Sequence, residues 1–332
     1  MIKSLLSAAA LSTLLASAAF ADGTAGPAIV FDIGGKFDKS FNESMYNGAE
    51  KFKKETSTGY GEFEIANEAQ REQALRNFAD KGYSPIIAAG FAQADAVTKV
   101  SKDYPDIKFA IIDAVVDAPN VESIVFKEHE GSYLVGVLAA EASKTGKVGF
   151  VGGMDIPLIR KFGCGYVQGV KADKKDDTVF QNMTGDTGAA WNDPVKGGEI
   201  TKGQIAKGAD VVYAAAGATG IGVLGAAADA KKMSIGVDAN QNYLHPGSVL
   251  TSMVKHVDVA VYNIMKDGDK GFKPGTQALG LKEGGVDYAM DDNNKPLVSD
   301  AMKAKVEAAK ADIISGKTEV HDYTTDNKCP VE

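Results

Sequence analysis

Lys147-Val148-Gly149-Phe150-Val151-Gly152-Gly153 is a short apolar run that ends on paired glycines. Its apolar residues are continuous rather than alternating, which fits a strand covered on both faces, as in a parallel sheet. A helix is predicted near Leu158–Asp173, then a strand at Thr178–Asn182, a helix at Pro194–Lys207, and strands at Asp210–Ala215 and Ser234–Val237. Reading the other way, a helix at Ser132–Ser143 separates this series from an earlier one with the same rhythm. That series has strands at Ala28–Phe31, Phe63–Ala66, Pro85–Ala89, Lys108–Ile112 and Ser123–Phe126. Helices at Ser40–Thr56, Ala69–Lys81 and near Ala92–Asp103 fall between them. Two successive βαβ series predict an α/β protein of two doubly wound lobes.

The ends and composition bound what such a protein can do. Lys3 is the one charged residue before Asp22, Leu5–Phe20 is uncharged, and Ala19-Phe20-Ala21 is a small-x-small cleavage pattern. Residues 1–21 are therefore expected to be a cleaved signal peptide. No cysteine lies near the cut, so the product is expected free in the periplasm, not lipidated. The remaining chain is longer than one core usually serves. Its net charge of −8 before cleavage argues against nucleic acid or anionic lipid as partner, and no later stretch is apolar enough to span a bilayer. Cys164 and Cys329 are expected to pair in an oxidising compartment. His129, His245, His256 and His321 show no metal-ligand spacing. There is no nucleophile elbow, P-loop or HExxH. An enzyme and a cofactor are not expected, and the chain is taken as a monomer.

In open α/β sheets, ligands meet the carboxyl ends of the strands. The turns there read Asp32-Ile33-Gly34-Gly35, Gly90-Phe91, Asp113, Gly152-Gly153, Ala216-Gly217-Ala218-Thr219-Gly220 and Asp238-Ala239-Asn240. Carboxylates, glycines and aromatics thus gather at one edge of each sheet, and two such edges face to face would make a cleft. Asp38 or Ser40 is expected to cap the helix that follows the first turn. Gly217, Gly220 and Gly222, with Asp238 beyond them, approach a dinucleotide fingerprint, but in the spacing GxxGxG rather than GxGxxG. A carboxylate at that strand end is suited to ribose hydroxyls without a phosphate site.

The segment FDIGGKFDKSFNESMYNGA (31–49) resembles the opening signature of the basic membrane protein family of bacterial ABC-transporter binding proteins. That family includes purine nucleoside receptors of the PnrA-like type. VFKEHEGSYLVGVLAAEAS, KVGFVGGMDIPLIRKFGCGYVQGVK, DVVYAAAGATGIGVL and SIGVDANQ resemble further family segments in the right order, across essentially the whole mature chain. The resemblance implies a type I periplasmic binding protein with a three-segment hinge. Its lobes would comprise residues 26–126 plus 254–278 and 127–253 plus 279–328, with crossings near 126–130, 250–255 and 278–283.

The resemblance also implies a purine nucleoside such as guanosine, inosine or adenosine in the cleft, and an ABC permease as partner. Asp238 would accept from ribose hydroxyls, helped by Gly217 and Lys255. Phe41 and Tyr213 would sandwich the base. Asp32 would read base-edge N–H groups, and Asp113 and Asn42 would lie at the pocket. Lys255 could instead be a solvated lysine. Trp191 could face the cleft or cover the second core, and Phe91 is a further wall residue. The competing readings are a riboflavin or sugar receptor of the same fold, or a periplasmic hydrolase acting on nucleotides.

Overall fold

A computed structural model describes residues 25–331; the expected signal peptide lies outside the described residues. The first sheet has the order β11-β5-β4-β3-β1-β2. Its strands are β1 (Ala28–Phe31), β2 (Gly61–Glu64), β3 (Ile86–Ala88), β4 (Phe109–Ile112), β5 (Val121–Phe126) and β11 (Gly275–Leu279), all parallel. The second has the order β12-β10-β9-β8-β6-β7. It is built from β6 (Lys147–Met154), β7 (Thr178–Gly185), β8 (Val211–Ala215), β9 (Met233–Asp238), β10 (Val249–Lys255) and β12 (Val286–Tyr288), of which β12 alone runs antiparallel.

Continuous apolar strands are central strands here. β1, β3, β4 and β8 are buried at every position, because helices cover both faces. β2 departs from the expected apolar run at Phe63–Ala66: it is the edge strand Gly-Glu-Phe-Glu, of which only Gly61 is buried. An edge strand has one neighbour and less cover, so charged side chains are tolerated there.

Helices α1 (Phe41–Thr56), α2 (Gln70–Asp80), α3 (Ala94–Asp103) and α8 (Val257–Gly271) belong with the first sheet; α1 and α8 pack on each other. Helices α4 (Glu128–Ala142), α5 (Pro157–Asp173), α6 (Pro194–Ala206), α7 (Thr219–Asp229) and α9 (Asp300–Ile314) surround the second. The α4–α5 pair comes together at small residues. A Cβ on Gly136, Gly165 or Gly169 would lie 2.0–2.4 Å from a carbonyl oxygen of the facing helix, so the close approach depends on glycine.

The chain passes between the sheets three times: from β5 into α4, from β10 into α8, and from β11 toward β12. The passages are bonded to one another. Lys127 N–H donates to Leu279 O at 2.9 Å, and His256 N–H donates to Gly285 O at 2.9 Å. Cys164 on α5 and Cys329 near the C-terminus form the expected disulfide, with Cα atoms 5.5 Å apart.

Candidate functional site

The carboxyl ends of both sheets face each other, and the strand-end side chains meet there. At the end of β1, Asp32 Oδ1 accepts from the Ile33 N–H (2.8 Å) and from Arg71 Nη2 (3.0 Å). The Asp32 backbone N–H donates to Asn42 Oδ1 at 3.1 Å. Asp38 is the cap of α1: it accepts from the backbone N–H groups of Ser40, Asn42 and Glu43. Ser40 makes no such bond. Its hydroxyl instead crosses to the other lobe and donates to Asp238 Oδ2 at 2.6 Å. Gln241 returns the contact, donating from Nε2 to Lys39 O at 2.9 Å. The turn before α1 therefore does two jobs, divided between its acid and its hydroxyl.

Lys255, at the end of β10, is 1% exposed and is not the solvated lysine of the alternative reading. Its Nζ donates to Asp113 Oδ2 at 2.6 Å and to Glu128 Oε1 at 3.1 Å. Glu128, the first residue of α4, is fully buried, and its other oxygen lies 2.5 Å from Lys161 Nζ. Lys161 also donates to Phe126 O at 2.9 Å. This chain of charges joins the end of β4 to the first and second passages between lobes. Burial alone would lower the Lys255 pKa, but Asp113, Glu128 and Asp238 outweigh it and raise it. Burial pushes the Asp113 carboxyl up to about 6 against the pull of Lys255. Burial would also raise Glu128, but Lys161 and Lys255 hold it below the usual range. Asp113 and Asp238 both adopt positive φ, 69° and 63°, a conformation acidic side chains tolerate better than most.

Aromatic rings close the walls. Lys255 Nζ lies 5.1 Å from the Phe41 ring centroid and 5.6 Å from that of Phe162, within cation–π range. Phe91 of the first lobe meets Trp191 of the second edge-on, with centroids 6.5 Å apart and planes at 64°. Trp191 thus faces the cleft. It requires glycine behind it: a Cβ on Gly153 would sit 2.2 Å from the indole.

One cavity of about 610 Å³, its mouth included, is lined by Asp32, Phe41, Asn42, Phe91, Asp113, Trp191, Gly217, Asp238 and Lys255. Tyr213 does not reach it. Its ring is fully buried against Phe150 and Tyr166, and its hydroxyl meets Ser132 Oγ at 3.3 Å. Strand geometry explains the correction. Ala215, two residues on and on the same face of β8, lines the cavity, and Tyr213 lies one pleat repeat below it, inside the core.

Four contributors were not singled out as site residues in the sequence. Arg71 and Lys161 look like ordinary helix-surface charges, Phe162 like a core residue, and Glu128 like an acid favoured at any helix start. Among the described residues, no His/Cys/Asp/Glu group is arranged to hold a metal, and no helix is long and apolar enough to cross a membrane.

Comparison with known proteins matches residues 27–323 to the family described as ABC transporter substrate-binding protein PnrA-like. The ABC transporter nucleoside-binding protein BmpA of Lactococcus lactis is 35% identical, over 90% of this chain and 92% of its own. Basic membrane protein A of Borreliella afzelii is 31% identical, over 87% of this chain and 90% of its own. Among solved structures, an ABC transporter solute-binding protein from Aeropyrum pernix superposes with a TM-score of 0.82 at 29% identity, covering 90% of this chain and 93% of that one. The fold is that of type I periplasmic binding proteins, and the chain belongs to the PnrA-like family of ABC transporter substrate-binding proteins.

Proposed function

We propose that the protein captures a purine nucleoside in the interlobe cavity and presents it to the permease of an ABC importer, with no chemistry on the ligand. The observation that carries this reading is the pairing of aromatic faces with acceptor-only carboxylates in one cavity. Phe41, Phe162, Phe91 and Trp191 offer rings; Asp32, Asp113 and Asp238 offer oxygens. A purine needs the first, and ribose hydroxyls with base N–H groups need the second. The nucleoside-binding relative supports the same assignment.

In this reading Phe41 stacks on the base against Phe162 or Trp191, Asp32 and Asn42 face the base edge, and Asp238, Gly217 and Lys255 face ribose. Residues 26–126 plus 254–278 and residues 127–253 plus 279–328 close on the ligand as two lobes. Closure is driven only by the ligand's greater affinity for the closed form. The mature protein works as a non-lipidated monomer in the periplasm.

A thermal-shift panel of nucleosides, free bases, riboflavin and pentoses tests the assignment. Purine nucleosides are expected to raise Tm most. A larger shift with riboflavin or with a pentose would replace the nucleoside by that ligand. Phe41→Ala is expected to weaken a nucleoside about 5- to 150-fold, since a base stack contributes roughly 1–3 kcal/mol. Free ribose should be nearly unaffected, and equal losses for both in calorimetry would remove the stack.

The Asp113–Lys255 pair joins the end of β4 in one sheet to the end of β10 in the other, so affinity should also depend on pH. Protonating Asp113 as pH falls through about 6 removes this ion pair between the sheets, and affinity should drop between pH 7.5 and 5. The ligand-free fold should gain stability over the same window, because the folded state then binds the proton more tightly than the unfolded one. A flat affinity profile would exclude Asp113 as the titrating group.

A further inference from the structure

The cleft is rich in charge, yet its cation is already spent. Among the described residues, Lys255 is the one basic residue lining the cavity, beside Asp32, Asp38, Asp113 and Asp238. Its ammonium is held by Asp113 from the cleft side and by Glu128 from behind. Glu128 does not line the cavity and is fully buried. The Arg71 guanidinium behind Asp32 is bonded to that carboxylate. A phosphate entering this cavity would lose its water and find carboxylates, and among the described residues the basic side chains there, Lys255 and Arg71, are already paired.

We propose that Glu128 is a specificity-determining residue that acts through Lys255: by neutralising the ammonium from behind, it makes the receptor reject phosphorylated forms of its ligand. Lys161 is the counterweight. It lies 2.5 Å from Glu128 and donates to Phe126 O; Lys161 and Lys255 together hold Glu128 ionised against burial, and the Lys255 contact remains when Lys161 is removed. The two residues sit behind the cation with opposite charge. Removing one or the other should therefore tilt the potential in the cleft in opposite directions. Interactions between charges this close, in a buried site, remain strong because water and salt screen them little. Glu128 is a positioning residue, touching the lysine and not the ligand.

The inference rests on the cleft being the ligand site but not on the ligand being a nucleoside. Its test compares unphosphorylated and phosphorylated members of three pairs: guanosine and guanosine 5′-monophosphate, riboflavin and its 5′-phosphate, ribose and ribose 5-phosphate. Whichever unphosphorylated member the wild type binds selects the pair; riboflavin or ribose alone would overturn the nucleoside reading and leave the inference to be decided on that pair. Glu128→Gln is expected to raise the affinity ratio of phosphorylated to unphosphorylated ligand at least about tenfold. Lys161→Met should move selectivity the other way, favouring a ligand analogue whose 5′-hydroxyl is replaced by an amine, and Glu128→Gln should disfavour that analogue. This opposition in sign is what a packing defect would not produce. An unchanged ratio in a Glu128→Gln protein that still binds the unphosphorylated member would overturn the proposal. So would variants that shift selectivity in the same direction. If Glu128→Gln does not fold, Lys161→Met with the amine analogue decides alone, gain supporting the proposal and no gain overturning it.

Discussion

Asp238→Asn is expected to reduce nucleoside affinity by about 30-fold or more while leaving the ligand-free fold at least as stable. Asparagine is the suitable replacement because residue 238 sits at φ 63°, where alanine would add about 1–2 kcal/mol of backbone cost and confuse the two effects. The carboxylate is 7% exposed. Burial raises its pKa; Lys255 and the Ser40 hydroxyl pull the other way, and Asp38 and Glu128 push it up further. The ionised group is thus an expense in the folded state, and a neutral amide removes it. Binding reverses the balance. A carboxylate accepting from ribose hydroxyls makes charge-assisted bonds, about twice as strong as neutral ones. Losing one partner of such a buried arrangement costs about 2–5 kcal/mol, hence the expected factor. The linkage has a definite sign. With its folded pKa above the unfolded one, Asp238 lowers stability as pH rises from the ordinary carboxylate range through its raised value, and the asparagine variant should lose that slope. Calorimetry at neutral pH together with melts from pH 4 to 7 checks both halves. Affinity within threefold of wild type would end the role assigned to Asp238.

The architecture was legible because it is written in local pattern. Buried strands such as Ala28–Phe31 and Val211–Ala215 are short apolar runs followed by glycine or an acid, and the repeat of that unit implies both sheets. The strand ends identified the cavity for the same reason: parallel sheets bring their carboxyl ends to one edge, so Asp32, Asp113 and Asp238 had to converge. What stayed hidden depends on rotamers and on partners distant in sequence. Tyr213 and Ala215 share one face of β8, and only depth in the pleat separates a core residue from a wall residue. Ser40 and Asp38 are both good caps, and which of them turns toward Asp238, 198 residues away, follows from how the lobes meet. Glu128 and Lys161 form a buried pair across 33 positions, and neither the periodicity nor the motifs that contain them say that they pair. The glycine cluster at Gly217–Gly222 illustrates the reverse case. It looks like a cofactor fingerprint in one dimension, yet in the fold Gly217 simply lets the β8–α7 turn pass under Trp191, whose carbonyl would lie 3.3 Å from any Cβ there.

Breaking the Cys164–Cys329 bridge is expected to lower Tm by about 5 °C or more. The bridge spans a sequence separation of 165 residues, and loop-closure entropy for a loop of that size sets a ceiling of about 5 kcal/mol. A large domain shifts by about 2–4 °C per kcal/mol, so even a fraction of the ceiling is measurable. The native contacts say which part of the fold gives way first. The C-terminal segment lies along α5, where Gln168 Nε2 donates to His321 O (3.0 Å) and Gln168 Oε1 accepts from the His321 N–H (2.9 Å). Val320 is buried, and Asp322 faces His129 at 3.8 Å. Burial holds the His129 imidazole down at about 4, against the pull of Asp322, so this histidine is neutral at ordinary pH and the contact adds little charge attraction. Among the contacts that fasten the tail are the Gln168–His321 amide pair, buried Val320 and the disulfide, and the disulfide is the strongest of these. Reduction should release residues 315–331 before the lobes unfold, exposing backbone amides near His321 to exchange with solvent while the β1 and β8 amides stay protected. Cys329→Ser should reproduce the effect without reductant and without altering the fully covered Cys164 position. Two thiols titrating in the native, unreduced protein, together with a melt unchanged by reductant, would show that the bridge does not form in solution.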